Sequence, residues 1–402
     1  MKNIKQEFPI FYKPEENKPL VYLDSGASSQ KPRKVIESLT HTYSKIYSNI
    51  HRGIHDLSMR SSDAVETARS DIARFVGAND SSEIVFTSGA TQGINMIAYG
   101  IAHTVNPGDN VLVSIADHHS NILPWMRLCQ QQQAELRYVN VLPDGSFDHA
   151  DFAQKIDNKT AIVAMPHASN VLGTIFPVLE IAIKAHTNGA LFVVDGCQGL
   201  PHLKFDVKAM KCDFYVASAH KFYGPSGVGF IYGTTESFKK MIPMNLGGGI
   251  VDEVDTEGFV LKDIPFCFEA GTPPIAESIA MGAAINFLTA LGMNNVVDHE
   301  KQLTEYMLSK LSNIPEINIV GTTDIKIGTV SFYVDGVNST DIAQMLNTFG
   351  IAVRSGFHCA QPLHKFLEVP ATCRASLGVY NDEKDVDIFI DKLKDVIKVL
   401  TK

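Results

Sequence analysis

Ala190-Leu-Phe-Val-Val-Asp195-Gly-Cys-Gln198 and Cys212-Asp-Phe-Tyr-Val-Ala-Ser218-Ala-His220-Lys221-Phe-Tyr-Gly224-Pro225-Ser-Gly227-Val-Gly229 are two short apolar runs, each ending on a residue that can do chemistry. Apolar runs of this length, bounded by turn residues, predict strands covered on both faces. The pattern recurs along the chain: 83–87, 110–115, 135–141, 160–165, 190–195, 213–218 and 227–232 read as strands, with helical patterns in most of the gaps. Such alternation predicts βαβ units, and so an α/β fold with a mostly parallel seven-stranded sheet between two layers of helix. In a sheet of that kind the strand C-termini line the ligand crevice, which is where Asp195 and Lys221 fall.

Beyond this core, residues 246–274 are rich in Gly and acidic residues and read as a long excursion. Helical patterns follow at about 275–312, then strands near 317–320 and 328–334, a helix near 340–349, and more strand at 351–354 and 373–379. This predicts a smaller α+β C-terminal domain, 275–402, after a large domain, 21–274, with residues 1–20 packing on the small one.

Bulk properties narrow the function. A net charge of −9 with no Lys/Arg run longer than a pair argues against a nucleic-acid surface. The N-terminal stretch has no apolar signal core, and no segment approaches the roughly 18 apolar residues of a membrane span. A cytoplasmic protein is expected. The cysteines, Cys129, Cys197, Cys212, Cys267, Cys359 and Cys373, are scattered without a C-x-x-C pair, so neither a disulfide framework nor a metal site is expected.

A lysine at a strand end, against a glycine-rich turn, can be desolvated and made nucleophilic, and a neutral amine can form a Schiff base with an aldehyde. The natural aldehyde is pyridoxal 5'-phosphate (PLP), whose ring nitrogen a strand-end carboxylate such as Asp195 keeps protonated. Glu83-Ile-Val-Phe-Thr87-Ser-Gly89-Ala90-Thr91 reads as a strand, a glycine turn and a helix start, a site for phosphate, with Ser218 and His220 completing the cup. Asp117-His118-His119 ends another strand. Adjacent strand residues point to opposite faces, which disfavours a shared metal, and leaves one histidine to lie on an aromatic ring and move a proton. Arg354-Ser-Gly356-Phe-His358-Cys359 puts a thiol on a loop near arginines, where a thiolate is favoured. Arg374 offers a fork for a carboxylate. Each of these has an ordinary structural explanation when taken alone.

Together with Leu23-Asp-Ser-Gly-Ala-Ser-Ser-Gln-Lys-Pro32, His51-Arg-Gly-Ile-His55 and Ser169-Asn170-Val-Leu-Gly173, these ordered motifs resemble the Suf-type (SufS-like) branch of the PLP-dependent cysteine desulfurases, class-V aminotransferases of fold type I that include selenocysteine lyases. The resemblance implies that Lys221 is the Schiff-base lysine and general base, Asp195 pairs with the ring nitrogen, Gln198 bonds the phenolic oxygen, and His118 stacks on the ring and moves protons at the substrate sulfur. It implies that Ala90, Thr91, Ser218 and His220 hold the phosphate, and that Thr272 reaches it from the other subunit of a homodimer. Arg374, Asn170 and Arg354 are implied on the substrate side, with Asn170 also near the cofactor oxygen and Arg354 supporting the cysteine loop. L-Cysteine would become alanine, its sulfur held as a persulfide on Cys359 and passed to an acceptor of SufE or SufU type for iron–sulfur cluster assembly. Phe357 stands where relatives more often carry histidine, and this bears on persulfide transfer. Selenocysteine lyase, cysteine sulfinate desulfinase and a non-catalytic regulatory protein on the same scaffold are the other readings.

Overall fold

The computed structural model describes residues 4–12 and 20–401. After a short β1 (Val21–Tyr22), the seven expected strands form as β2 (Ile84–Thr87), β3 (Asn110–Ser114), β4 (Glu135–Val139), β5 (Thr160–Pro166), β6 (Leu191–Asp195), β7 (Phe214–Ser218) and β8 (Gly229–Gly233). They make one sheet in the order β2-β8-β7-β6-β5-β3-β4. Strands β3 to β7 pair in parallel, whereas β8 runs antiparallel to both β7 and β2. The connection between β7 and β8, residues 219–228, is shorter than the dozen or more residues that the crossover to a parallel neighbour requires. Side chains alternate between the two covered faces: Leu112, Phe192 and Val194 enter one core, and Val111, Val113, Leu191 and Val193 enter the other.

From β3 the chain steps outward to β4, then returns to lay β5 on the other side of β3. Connections that leave neighbouring strands in opposite directions open a crevice at their carboxyl ends. That switch point sets the place of the site, since the loops after β3 and β5 carry His118 and Asn170.

The excursion after β8 is a hairpin of β9 (Val251–Val254) and β10 (Phe259–Leu261). A second, wholly antiparallel sheet follows, of β11 (Ile317–Val320), β12 (Thr329–Val334), β15 (Thr372–Ser376) and β14 (Arg354–Gly356) in that order, while β13 (Ile351–Ala352) pairs with β1. Its core, with Leu303, Phe332, Leu346 and Phe389, is separate from the two around the large sheet.

Packing divides the chain differently from boundaries at 21 and 275. Val21 and Leu23 belong to the small core, because β1 extends β13. Helix Ile275–Leu291 belongs to the large one, where it lies on α1 (Arg33–His41) and α2 (Asp56–Val76) through Ala280, Met281 and Ala284. The contact with α2 requires Gly282, since a Cβ there would stand 2.6 Å from the Cβ of Ala68. At Gly292 the chain bends by 76° into helix Met293–Leu311, and the small unit begins. Of the N-terminal segment, residues 1–3 and 13–19 lie outside the described residues. Phe8 packs edge-on to Tyr380, Phe287 and Tyr223, and Lys5 pairs with Asp385 at 2.6 Å, so this segment bridges both units. Among the described residues no single helix is long and apolar enough to cross a membrane.

Candidate active site

The crevice at the switch point is a cleft of about 460 Å³. Its walls come from the ends of β3, β5, β6 and β7, from the start of α3 (Ala90–Gly100), from the loop after β1, and from the second sheet. Ala90, Thr91, His118, Asn170, Asp195, Ser218, His220, Lys221, Arg354, Cys359 and Arg374, distant in sequence, meet there.

One end suits an anion. Gly89 sits at φ +146°, and a Cβ at that position would approach the Ser218 hydroxyl to 3.1 Å. The Ala90 N–H donates to Ser218 Oγ at 2.8 Å, the Thr91 and Ser120 hydroxyls share a hydrogen bond of 2.8 Å, and α3 starts without a side-chain cap. An uncapped helix start presents N–H groups and the positive end of the helix dipole.

In the middle, Lys221 ends a single helical turn after β7, and the buried Asp195 accepts from the Cys197 N–H at 3.0 Å. His118 accepts from the Ser120 N–H at 3.1 Å through Nδ1. Burial, and then the charge of Lys221, lower the His118 pKa to about 4, so its imidazole is neutral at physiological pH. Burial and the charges of Lys221 and Lys31 bring His220 to about 4 as well.

At the far end Cys359 is exposed on a loop of unusual backbone, with His358 at φ +52° and Cys359 at φ +56°. For residues other than glycine this left-handed region is costly, and contacts must hold it. Two come from the large unit: His119 N–H donates to the Cys359 carbonyl at 2.9 Å, and Asn170 Nδ2 to the His358 carbonyl at 2.8 Å. A third is internal, His358 Nε2 with the Thr372 hydroxyl at 2.9 Å. Arg374, 2% exposed, donates to the Asn170 carbonyl at 2.9 Å, and its Nε is buried with no hydrogen-bond partner among the described residues. Burial lowers its pKa to about 10, which leaves it charged.

Gln198 and Thr272 do not line this cleft within the chain, and for Thr272, expected to act from the other subunit, that is the implied arrangement. Gln198 is buried and does not line the cleft; its Nε2 donates to the Gly26 carbonyl at 2.8 Å, which ties the loop after β6 to the loop after β1. Thr272 lines a separate cleft of about 250 Å³ with His51, Arg52, Gly249, Lys262 and Glu269. Conversely, Ser120 and Asp24 take part in the site although neither stands out in the sequence as a site residue. Ser120 links His118 to Thr91. Asp24 binds both cleft arginines.

PLP requires an anion cradle, a carboxylate for its ring nitrogen and an amine for its aldehyde. The cleft has the open start of α3 with Thr91 and Ser218, then Asp195, then Lys221. The residues present fit the group.

Beneath the cleft His167 is 4% exposed, its ring against the Tyr215 hydroxyl at 3.1 Å, and burial lowers its pKa to about 4. An unfolded histidine takes its proton near 6.5. The stability associated with a neutral His167 is therefore complete above that pH and is lost as pH falls from about 6.5 towards 4, by about 1.4 kcal/mol per unit. The denaturant midpoint should be lower at pH 5 than at pH 7; equal midpoints would contradict this.

Residues 21–389 match the family model for aminotransferase class-V. A probable cysteine desulfurase from Halalkalibacterium halodurans is 44% identical over 386 residues, 96% of this chain and 95% of the relative. Another from Synechocystis is 41% identical over 399 residues, 98% of this chain and 95% of the relative. Among solved structures, a cysteine desulfurase from Thermococcus onnurineus has a TM-score of 0.92 at 35% identity, covering 95% of each chain. The cysteine desulfurase CsdA from Escherichia coli has a TM-score of 0.91 at 33% identity, covering 98% of each. With this cleft, this family match and these relatives, the chain belongs to the class-V aminotransferase family, alongside its PLP-dependent cysteine desulfurases.

Proposed function

We propose that this protein converts L-cysteine to L-alanine, holds the sulfur as a persulfide on Cys359 and passes it to an acceptor protein of SufE or SufU type, in the cytoplasm, for iron–sulfur cluster assembly. The observation that carries this reading is the presence of an amine, Lys221, and an exposed thiol, Cys359, in one cleft. An aminotransferase needs the first and has no use for the second.

The large unit would hold PLP through Ala90, Thr91, Ser218 and His220 at the phosphate, Asp195 at the ring nitrogen and His118 at the ring face; bound there, PLP supplies an electron sink for charge developing at the substrate Cα. Arg374 orients the substrate through its carboxylate, with the Asn170 carbonyl fixing the guanidinium. Lys221 takes the α-proton as general base. The Cys359 thiolate attacks the substrate sulfur: an S–S bond forms, the C–S bond breaks with its electron pair left on the carbon side, Cβ takes a proton and Lys221 returns the α-proton, so the carbon skeleton leaves as alanine. His118, neutral and within the cleft, is suited to accept the thiol proton of the substrate.

The small unit carries the cysteine loop, and the exposure of Cys359 suits transfer of its sulfur to an acceptor. A homodimer accounts for Thr272, which would reach the phosphate end of the neighbouring site. Exposed apolar residues beside its cleft support an interface, with Ile54 at 95%, Met59 at 51% and Tyr43 at 57% exposure. The test is alanine formation from L-cysteine by the PLP-loaded protein with a thiol acceptor. One alanine per sulfur transferred is expected, and absence of alanine would sink the reading.

A further inference from the structure

The turn that carries Lys221 is held from behind by one serine. Ser29, in the loop after β1, is 3% exposed and stands outside the cleft lining. Its N–H donates to the His220 carbonyl at 2.9 Å, and its hydroxyl donates to the same oxygen at 3.0 Å while accepting from the Tyr223 N–H at 2.7 Å. A hydroxyl has one proton and two acceptor lone pairs, so it serves both partners at once. The His220 carbonyl shares a rigid peptide plane with the Lys221 nitrogen, so fixing it fixes the direction in which the lysine leaves the backbone. On the other side Tyr223 is buried at φ +70°, a costly conformation for any residue but glycine, which contacts must hold. Its N–H is held by Ser29, and its own hydroxyl accepts from the Val379 N–H at 3.0 Å.

The two partners of the Ser29 hydroxyl depend on it unequally. The His220 carbonyl has further donors in the Ser29 N–H, Lys31 Nζ at 3.1 Å and Ser28 Oγ at 3.3 Å. The Tyr223 N–H has no other acceptor among the described residues. The loop after β1 is in turn bound to the unit that carries Cys359: the Gly26 N–H donates to Ser376 Oγ at 2.8 Å, and the Ser25 and Tyr380 hydroxyls share a hydrogen bond of 2.7 Å. The turn of the amine is thus tied to the unit of the thiol through a side chain outside the cleft.

We infer that Ser29 is a positioning residue for the reaction: its hydroxyl bridges the peptide entering Lys221 and the peptide entering Tyr223, and so aims the lysine amine at the place in the cleft where the cofactor aldehyde, and then the substrate's α-hydrogen, must lie. The inference rests on the proposed reading of Lys221 as the amine that takes the aldehyde and the α-proton. The anion cradle is independent of Ser29, since neither the bond from the Ala90 N–H to Ser218 nor that between Thr91 and Ser120 involves it.

The experiment follows cofactor capture by the full-length protein stripped of cofactor. Stopped-flow absorbance gives the rate at which PLP turns the protein yellow, and calorimetry gives the affinity of pyridoxine 5'-phosphate, which has the ring and the phosphate but an alcohol in place of the aldehyde. In Ser29→Ala capture should slow about tenfold or more, since a misplacement of about 1 Å costs about 10²-fold in rate. Affinity for the alcohol should not change. In the loaded variant kcat should fall with KM for L-cysteine unchanged, because Arg374 keeps its contact with Asn170. Ser29→Thr, which keeps the hydroxyl, should restore capture. Ser237 is also buried, and its hydroxyl donates to Asp213 at 3.0 Å, so Ser237→Ala removes a comparable bond away from the cleft and should capture PLP at the wild-type rate. A merely structural Ser29 would weaken PLP and the alcohol alike. That result would overturn the inference, as would wild-type capture in folded Ser29→Ala or slow capture in folded Ser29→Thr. Should Ser29→Ala fail to fold, Ser29→Cys decides, because sulfur makes weaker hydrogen bonds in the same place: slower capture with unchanged affinity for the alcohol supports the inference, and a wild-type rate overturns it. Wild-type protein that stays colourless with PLP would refute Lys221 as the cofactor's amine and the inference with it, whereas a yellow wild type whose capture rate survives Ser29→Ala would refute only the role of Ser29.

Discussion

Cys359→Ala is expected to lower L-cysteine turnover at least about 10³-fold, the scale on which loss of a nucleophile acts. The thiol is exposed, so its removal opens no cavity, and stability should change by no more than about 0.5 kcal/mol. The backbone contacts that hold the loop, from His119 to the Cys359 carbonyl and from Asn170 to the His358 carbonyl, do not involve the sulfur. Substrate anchoring at Arg374 is equally untouched. The loss should therefore fall on kcat with little change in KM, the pattern of an interaction made only in the transition state. Steady-state alanine release with a thermal melt as control measures both. Full activity in the variant would remove the thiol from the mechanism.

Lys221→Ala should abolish turnover by a different route. Loss of a positioned general base alone costs about 10²- to 10⁴-fold, and loss of the amine that binds the cofactor aldehyde adds to it. The purified variant should lack the yellow absorbance of the wild type, and an identical spectrum would contradict the assignment. A second signature follows from electrostatics. After burial, the charge of Lys221 is the next cause of the low pKa values of both His118 and His220. Both values should rise in the variant, as read by NMR titration.

The large sheet was legible because strands covered on both faces are continuous apolar runs, and Thr160–Pro166 and Leu191–Asp195 stand out as such. Direction was not legible. Nothing in the composition of β8 says that it runs antiparallel; the connection before it, residues 219–228, too short for a helical crossover, does. The helical stretch after 275 hid a boundary, because Gly292 reads as one glycine in a long pattern while in space it turns the chain by 76°.

The chemistry-bearing strand ends were legible for the same reason, since a polar residue that closes an apolar run falls at the crevice. Asp24 was not, because its partner Arg354 is 330 positions away and a lone acid in a Ser/Gly turn carries no signal of its own. Gln198 was assigned by resemblance, and the structure adds a bond from its amide to the Gly26 carbonyl. The left-handed backbone at His358 and Cys359 also left no clear trace in the sequence, since this conformation is uncommon for any residue other than glycine; hydrogen bonds from the other unit hold it.

The most direct test is peptide mass spectrometry of the PLP-loaded protein after one equivalent of L-cysteine, with no acceptor present. The Cys359 peptide should be heavier by one sulfur atom, matched by an equal amount of alanine. Alanine with unmodified Cys359, or with the added sulfur on one of the buried cysteines, would contradict the division of labour between Lys221 and Cys359.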